Sequence, residues 1–107
     1  MSETLRRIQR LGALGQLVVS DHAYDELAED GILAVELIDG LPEAVVIEDY
    51  PSAFKGPSVL VLQMDRAGRE VHAVWGISAG KTEPAVLVTA YRPDPLRWSD
   101  DFRKRKP

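Results

Sequence analysis

The apolar positions of the chain follow a helical spacing in its first half and a strand-like alternation in its second half. Near the N-terminus, Leu5, Ile8 and Leu11 recur on one stripe, which predicts an amphipathic helix within residues 1–17. The arginines between them fall mainly off that stripe, so we expect them to face solvent. The chain therefore begins with a helix that needs a partner surface for its apolar side.

Two further short helices are predicted before the alternation begins. Ser20 and the acidic residue after it form a typical helix start, because the hydroxyl caps free N–H groups and the carboxylate complements the helix dipole. The second helix is expected at about 21–29, with Gly31 as its stop. The third carries Leu37 and ends before Pro42. Both are too short to be stable alone, so they must pack on another element.

Four segments of the second half have the composition and the two-residue alternation of strands. They are residues 43–49, 58–65, 70–77 and 85–91. The link around Gly68 is a tight hairpin turn, where glycine provides a positive φ. Short links between consecutive strands are typical of an antiparallel meander. Helices followed by such strands predict an α+β domain, with two or three helices packed on an antiparallel sheet of about four strands.

The length of 107 residues predicts a single domain over 1–107, in which the first helix (1–17) and a basic tail (103–107) are peripheral. The chain has no cysteine, which excludes disulfides, thiol catalysis and cysteine-bound metal centres. No long apolar run follows the N-terminal arginines, so we expect no signal peptide, no membrane association and a cytoplasmic location. No phosphate-cradling glycine loop is present, and we expect no cofactor and no metal.

The net charge of -4 conceals an uneven distribution of charge along the chain. Ten acids and no Lys or Arg lie within 21–49, whereas both ends are basic, with four consecutive cations in the tail at 103–106. The simpler interpretation is a solvated acidic face and a frayed tail. The alternative is that these surfaces bind charged partners, with the basic surface meeting phosphate or an acidic protein.

The densest group of polar and aromatic residues follows the last predicted strand. It contains Tyr91, Arg92, Asp94, Arg97 and Trp98 within eight residues, and the proline after Arg92 keeps its backbone extended. One interpretation is structural, with the aromatic rings covering the sheet end and the carboxylate paired with an arginine. The other is a site in which the arginines hold a phosphate and the indole stacks on a base. The residues alone leave both open.

The chain has two histidines, His22 and His72. A simple hairpin register places His72 opposite Thr89 and on the same sheet face as Tyr91, whereas a slip of one residue would separate them. Both histidines also have a structural interpretation, as rings satisfied by neighbouring groups. His22 and Glu26 share a helical face and are able to supply two metal ligands, but no second pair completes a recognisable metal site.

Several short motifs occur in the order seen in one bacterial family: Ser20-Asp-His22-Ala, Asp30-Gly31-Ile32, Val46-Ile-Glu48-Asp-Tyr50-Pro51, Gly56-Pro57 and Thr89-Ala-Tyr91-Arg92-Pro93-Asp94, followed by Trp98. Over about residues 18–102 the chain resembles domain-of-unknown-function family 4258, which is similar in architecture to the RelE-like and BrnT-like toxins, small mRNA endonucleases. The resemblance implies helices followed by an antiparallel sheet, and an activity on RNA. The chain departs from the family pattern at Glu26 and Asp30, where basic residues are common, and anions there would repel an RNA backbone.

The first hypothesis is a toxin-like domain of unknown function that binds RNA or cleaves it without a metal. Its predicted catalytic residues are His22, His72, Tyr91 and Arg92, since such cleavage needs a proton donor, a proton acceptor and a cation. The predicted substrate-binding residues are Lys55, Asp94, Arg97 and Trp98.

The alternative is a non-catalytic interaction domain whose acidic helical face and basic tail bind a cognate protein partner. A metal-dependent enzyme built on the histidine and acids of the second helix is a third hypothesis. The expected partner is therefore RNA or a cognate protein, and a homodimer is left open.

Overall fold

Three helices lie against one face of a five-stranded sheet in the computed structural model, which describes residues 2–107. The helices are α1 (Glu3–Ala13), α2 (Asp21–Glu29) and α3 (Ala34–Asp39), with a 3₁₀ turn at Leu41–Glu43. The strands are β1 (Leu17–Val19), β2 (Val45–Tyr50), β3 (Ser58–Met64), β4 (Glu70–Ile77) and β5 (Ala85–Tyr91). The predicted α+β architecture is confirmed, and strands β2 to β5 match the predicted segments.

The sheet contains one strand more than predicted and is mixed rather than purely antiparallel. Its strand order is β1-β5-β4-β3-β2, with β1 parallel to β5 and all other neighbours antiparallel. β1 pairs with the start of β5, from Leu17 opposite Ala85 to Val19 opposite Leu87. The sequence does not predict β1, because so short an apolar run fits the end of a helix as well as a strand.

Side-chain caps begin α1 at Ser2 and α2 at Ser20, and the second of these is the cap that the sequence predicts. Ser2 Oγ accepts a hydrogen bond from the Leu5 N–H at 3.0 Å, and Ser20 Oγ accepts one from the Ala23 N–H at 3.0 Å. After α1 the chain turns at Gly15, which has a φ of 72° that glycine adopts without strain. The turn leads directly into β1, so α1 and the new edge strand lie close together.

The core lies between the helical layer and the sheet face beneath it. Ile8, Leu27 and Leu37, one from each helix, are buried against that face, and this burial stabilises helices too short to form alone. Two hydrogen bonds of the buried Gln63 side chain cross the same core. The Trp75 indole N–H donates to Gln63 Oε1 at 2.8 Å, and the Gln63 amide donates to the Leu37 carbonyl at 2.8 Å. Gln63 therefore joins α3 to β3 and β4.

The register between β4 and β5 differs by two residues from the predicted one. His72 lies opposite Tyr91 rather than opposite Thr89. Further along, Val74 pairs with Thr89 but Trp75 pairs with Leu87. Val88 therefore has no partner on β4 and is the extra residue of a bulge. Loop length does not reveal such an insertion. Because the difference is an even number of residues, His72 and Tyr91 still share a sheet face, as predicted.

Residues 93–107 fold back over the sheet face opposite the helices, where Trp98 contacts His72. Trp98 and Arg105 form an isolated antiparallel bridge, and the Lys106 N–H donates to the Arg97 carbonyl at 2.8 Å. The basic tail, predicted to be peripheral, thus runs beside the segment that carries Trp98. The sheet is therefore covered by helices on one face and partly by its own C-terminal segment on the other.

We expect Gln63→Met to lower the free energy of unfolding by about 2 kcal/mol, because it leaves the buried Trp75 N–H and Leu37 carbonyl without partners. Urea denaturation followed by circular dichroism measures the change. The matched control is Gln16→Met, since Gln16 is exposed, and we expect it to change stability by less than about 0.5 kcal/mol. Equal losses in the two variants would contradict the assigned role of the buried amide.

Candidate functional site

The last residue of β5 and the segment after it place five of the predicted site residues around one open cavity. This cavity, of about 330 Å³, is lined by Tyr91, Arg92, Asp94, Arg97, Trp98 and Arg105. The proline after Arg92 keeps the backbone extended, so the side chains that follow leave the sheet at the end of β5. Three guanidinium groups border the space, which we call the arginine cavity.

The Arg92 side chain is held by fixed partners at one side of the arginine cavity. Its guanidinium lies 2.7 Å from Asp65 Oδ2 and donates to the Glu70 carbonyl at 3.2 Å. Only 20% of the Arg92 side chain and 7% of the Asp65 side chain are exposed. Hydrogen bonds from the Arg69 N–H, and then from Arg92, lower the pKa of Asp65, so the pair is ionised at neutral pH. Arg92 is therefore a structural partner of the β3–β4 hairpin.

His72 lies beneath the arginine cavity rather than within it. The residue is fully buried, with its ring centroid 5.5 Å from that of Tyr91 and 4.4 Å from that of Trp98, both in edge-to-face contact. Its Nε2–H donates to the Phe102 carbonyl at 2.7 Å. Arg105 lies over Trp98, with its Cζ 4.7 Å from the ring centroid. The imidazole is thus covered by the C-terminal segment.

The second ring nitrogen of His72, Nδ1, is buried without a hydrogen-bond partner. Nε2 carries the hydrogen that is donated to the Phe102 carbonyl. Protonation of the ring would add an N–H at Nδ1, and this N–H would be unpaired in a buried site. Burial is the main cause that lowers the pKa of His72, and Arg105 lowers it further, whereas Phe102 and Glu48 oppose the shift. His72 therefore stays neutral at pH 7, and its contacts are those of a structural residue.

An ion pair across the same sheet face holds the basic tail in place. Arg105 donates through Nε to Glu48 Oε2 at 2.7 Å and through a terminal nitrogen to Oε1 at 3.0 Å. The Tyr50 hydroxyl also donates to this carboxylate. The bonds from Arg105 are the main cause of the lowered pKa of Glu48, and Glu48 in turn raises the pKa of Tyr50. Sequence reasoning missed this pair, because no local signal links residues so far apart in the chain.

The structure does not bring the two histidines together, since His22 lies on α2 in the helical layer. The His22 side chain is 70% exposed, with Nε2 3.2 Å from Glu26 Oε1. Glu26 also accepts hydrogen bonds from the Thr89 hydroxyl and from the Ala90 N–H, the latter at 3.2 Å. Glu26 thus links α2 to β5. Among residues 2–107, no group of three or more His, Asp or Glu side chains is arranged to hold a metal ion.

Lys55 is also separate from the arginine cavity. It lies in the loop between β2 and β3 and lines a different, mainly apolar groove. Its carbonyl accepts a hydrogen bond from the Ala79 N–H at 2.9 Å, which fixes the loop to the end of β4. Of the eight predicted site residues, the five after β4 therefore come together, His72 lies beneath them, and His22 and Lys55 lie elsewhere.

Taken together, the fold and its site define an α+β domain with a helical layer on one sheet face and the chain's own C-terminal segment on the other. A family model described as "Domain of unknown function (DUF4258)" matches residues 19–92. The chain belongs to this family. No curated protein and no solved structure matches it. The matched range ends at Arg92, so most of the arginine cavity lies outside it.

Within residues 2–107, no helix has both the length and the apolar composition needed to cross a bilayer.

We expect a pH dependence of stability that comes from His72. Its folded-state pKa lies below the ordinary value of 6.5, so the unfolded chain takes up the proton first as the pH falls. The free energy of unfolding should therefore be constant above about pH 7.5 and decrease towards about pH 5, with a slope of at most about 1.4 kcal/mol per pH unit. Urea denaturation at a series of pH values measures this slope.

The two histidines supply a matched pair of variants for this measurement. We expect His72→Gln to remove the slope and the exposed His22→Gln to retain it. Carboxylates whose pKa is lowered, such as Glu48 and Asp65, begin to lose their stabilising effect only as the pH falls towards their ordinary pKa values of 4.5 and 3.8, which lie below this range, because the unfolded chain takes up those protons first. A slope that persists in the first variant and disappears in the second would contradict the assignment.

Proposed function

We propose that this protein is a non-catalytic interaction domain that binds a basic segment of a partner protein through the exposed acids of α2. The observation that carries the proposal is the state of the groups that metal-free RNA cleavage would need. His72 is fully buried, and the Arg92 guanidinium is paired with Asp65. The acids on the outer side of α2, by contrast, face solvent. The cluster around the end of β5 therefore offers a partner charge and surface, without an accessible imidazole beside its arginines.

The binding surface consists of Asp21, Asp25 and Glu29 with Tyr24 beside them, and we call it the acidic ridge. The three acids recur at every fourth residue of α2 and are all exposed, so they project from one side of the helix over about 12 Å. None of them forms an ion pair with another residue of the range 2–107. They are therefore free to pair with cations of a partner.

Exposed apolar side chains lie in and near the acidic ridge. Tyr24 is 55% exposed, and in the following segment Leu33 is 59% and Val35 is 43% exposed. Acids interleaved with an aromatic ring and aliphatic groups suit a partner that carries lysines or arginines together with apolar anchors. An amphipathic basic helix has this composition, because its two kinds of residue lie on neighbouring sides.

RNA is a less favourable partner than a basic protein. A phosphate backbone would approach a helix that carries four acids and no Lys or Arg, and repulsion would oppose binding. The cations of the arginine cavity are also already near carboxylates: Arg92 near Asp65, Arg105 near Glu48, and Arg97 at 3.9 Å from Asp94. RNA binding and cleavage is the first hypothesis from the sequence. The experiment must therefore distinguish it from binding of a basic protein.

We expect the protein to bind a fluorescent lysine–leucine amphipathic helical peptide and not a fluorescent single-stranded RNA oligonucleotide. Fluorescence anisotropy at low salt measures both affinities, and the affinity for the peptide should fall as salt rises, because exposed charge pairs are screened. In the variant Asp25→Lys/Glu29→Lys the affinity for the peptide should fall about tenfold or more.

The matched control is Asp49→Lys/Asp100→Lys, which makes the same change in net charge at two exposed positions outside α2. We expect it to bind the peptide within about twofold of the unchanged protein, since nonspecific attraction depends on net charge and specific binding on position. Equal weakening in both double variants would overturn the acidic ridge as the binding surface. Tight binding or cleavage of the RNA by the unchanged protein would overturn the proposed class of function.

A further inference from the structure

The sheet face opposite the helices carries a second concave surface, separate from the arginine cavity. It is an open groove of about 500 Å³ between the β2–β3 loop and strands β4 and β5. Its walls include Val74, Val86 and Val88 from the strands and Phe54 from the loop. We call it the valine groove. The C-terminal segment covers the other end of this face, where Trp98 lies on His72, and leaves the groove open.

Gly76 forms part of the floor of the valine groove. A Cβ at this position would lie 3.3 Å from the Pro57 carbonyl oxygen and 3.7 Å from Val88 Cγ2, so a side chain would fill the space between loop and strand. The residues on either side of Gly76 point the other way, into the core, as the alternation of a strand requires. The missing side chain therefore creates the depth of the groove.

One charged residue, Lys55, lines the valine groove. The loop that carries it is anchored to the end of β4, because the Ala79 N–H donates to the Lys55 carbonyl at 2.9 Å and the Ile77 N–H donates to the Pro57 carbonyl at 3.0 Å. Lys55 forms no ion pair with any other residue of 2–107. A fixed loop thus presents an uncompensated ammonium group beside an apolar surface.

We propose that the valine groove binds a small amphipathic anion, an aliphatic or aromatic carboxylate, with its apolar body over the valines and its carboxylate at Lys55. The volume falls within the range of about 300–1,000 Å³ typical of small-molecule sites. Burial of the apolar body provides most of the binding free energy, and the single cation orients the ligand and selects an acid over a neutral analogue. Phe54, which is 97% exposed, offers a ring that such a ligand would cover.

A second copy of this chain fits the valine groove less well than an anion does. In a two-fold symmetric contact the same patch meets itself, and the lining of this patch contains Lys55 and no carboxylate. Such a contact would leave the ammonium unpaired or opposite another ammonium, at a cost in desolvation and repulsion. The groove also lies on the sheet face opposite the helical layer, so the inference does not depend on the acidic ridge.

Octanoate and octanol are suitable probes, because they share an aliphatic chain and differ in charge. Isothermal titration calorimetry should show saturable binding of octanoate at one site and about fivefold weaker binding of octanol, since an exposed ion pair contributes at most about 1 kcal/mol. Lys55→Gln should remove this difference by weakening octanoate alone. The matched control Lys81→Gln removes a lysine that does not line the groove and should leave both affinities unchanged.

Two further variants test the apolar wall. Val88→Glu places a carboxylate in the valine groove and should weaken octanoate at least about tenfold, whereas Val18→Glu, at an exposed valine outside it, should have no effect. Phe54→Ser changes a side chain that is 97% exposed, so it should weaken both ligands without affecting folding. Amide NMR spectra should show octanoate shifting the signals of Lys55, Gly76 and Val88.

Several outcomes would overturn the inference. Equal affinity for octanoate in Lys55→Gln and the unchanged protein would remove the role of the cation. Amide shifts confined to another surface would place the ligand elsewhere. A dimer in analytical ultracentrifugation that Val88→Glu dissociates would assign the groove to a second copy of the chain instead.

Discussion

The exposed edge of β5 is the constraint on which the placement of α2 and of the site depends. β1 pairs with β5 only as far as Leu87, while β5 continues to Tyr91. The backbone groups beyond that point need other partners, because an unpaired edge is costly when buried and prone to association when exposed. Side chains of α2 and of its two cap residues supply them: Ser20 donates to the Val88 carbonyl at 2.9 Å, Glu26 accepts from the Ala90 N–H at 3.2 Å, and Asp30 accepts from the Arg92 N–H at 3.3 Å.

These contacts give a structural role to two acids, one in α2 and one at its C-terminal end. Glu26 accepts a hydrogen bond from the Ala90 N–H in β5, and Asp30 accepts one from the Arg92 N–H just after it. A lysine or arginine at either position would place a second hydrogen-bond donor against the backbone N–H of Ala90 or Arg92. The acids on α2 therefore form two rows with different tasks. One row seals the edge of β5, and the other, formed by Asp21, Asp25 and Glu29, is exposed and remains available to a partner.

Periodicity and turn chemistry were enough to predict the elements whose signals are local. α2 begins and ends at the predicted residues because its serine cap and glycine stop are contiguous with it, and β2 to β5 follow from their alternation. β1 carries no such signal, since its partner strand lies almost seventy residues further along the chain. One of the two residues of displacement in the β4–β5 register has a similar cause, because the bulge at Val88 depends on how β5 meets its neighbours rather than on its own sequence.

The candidate site shows the same division between local and distant information. The cluster from Tyr91 to Trp98 could be predicted because its members are consecutive, and the chain only has to turn once to gather them. Their charge and accessibility depend on residues distant in the sequence. Asp65 pairs with Arg92, and Glu48 pairs with Arg105, which lies over Trp98. A list of reactive residue types contains no information on which of them will be neutralised by a partner from another strand.

The C-terminal segment is therefore the element that determines what the sheet face offers to a ligand. Where Trp98 and the tail lie on His72, the imidazole is enclosed and stays neutral. Where the segment does not reach, the same face leaves an apolar groove with one cation. Since the family match ends at Arg92, the covering segment lies beyond the matched range. The enclosure of His72 thus depends on contacts made by this part of the chain and cannot be inferred from family membership alone.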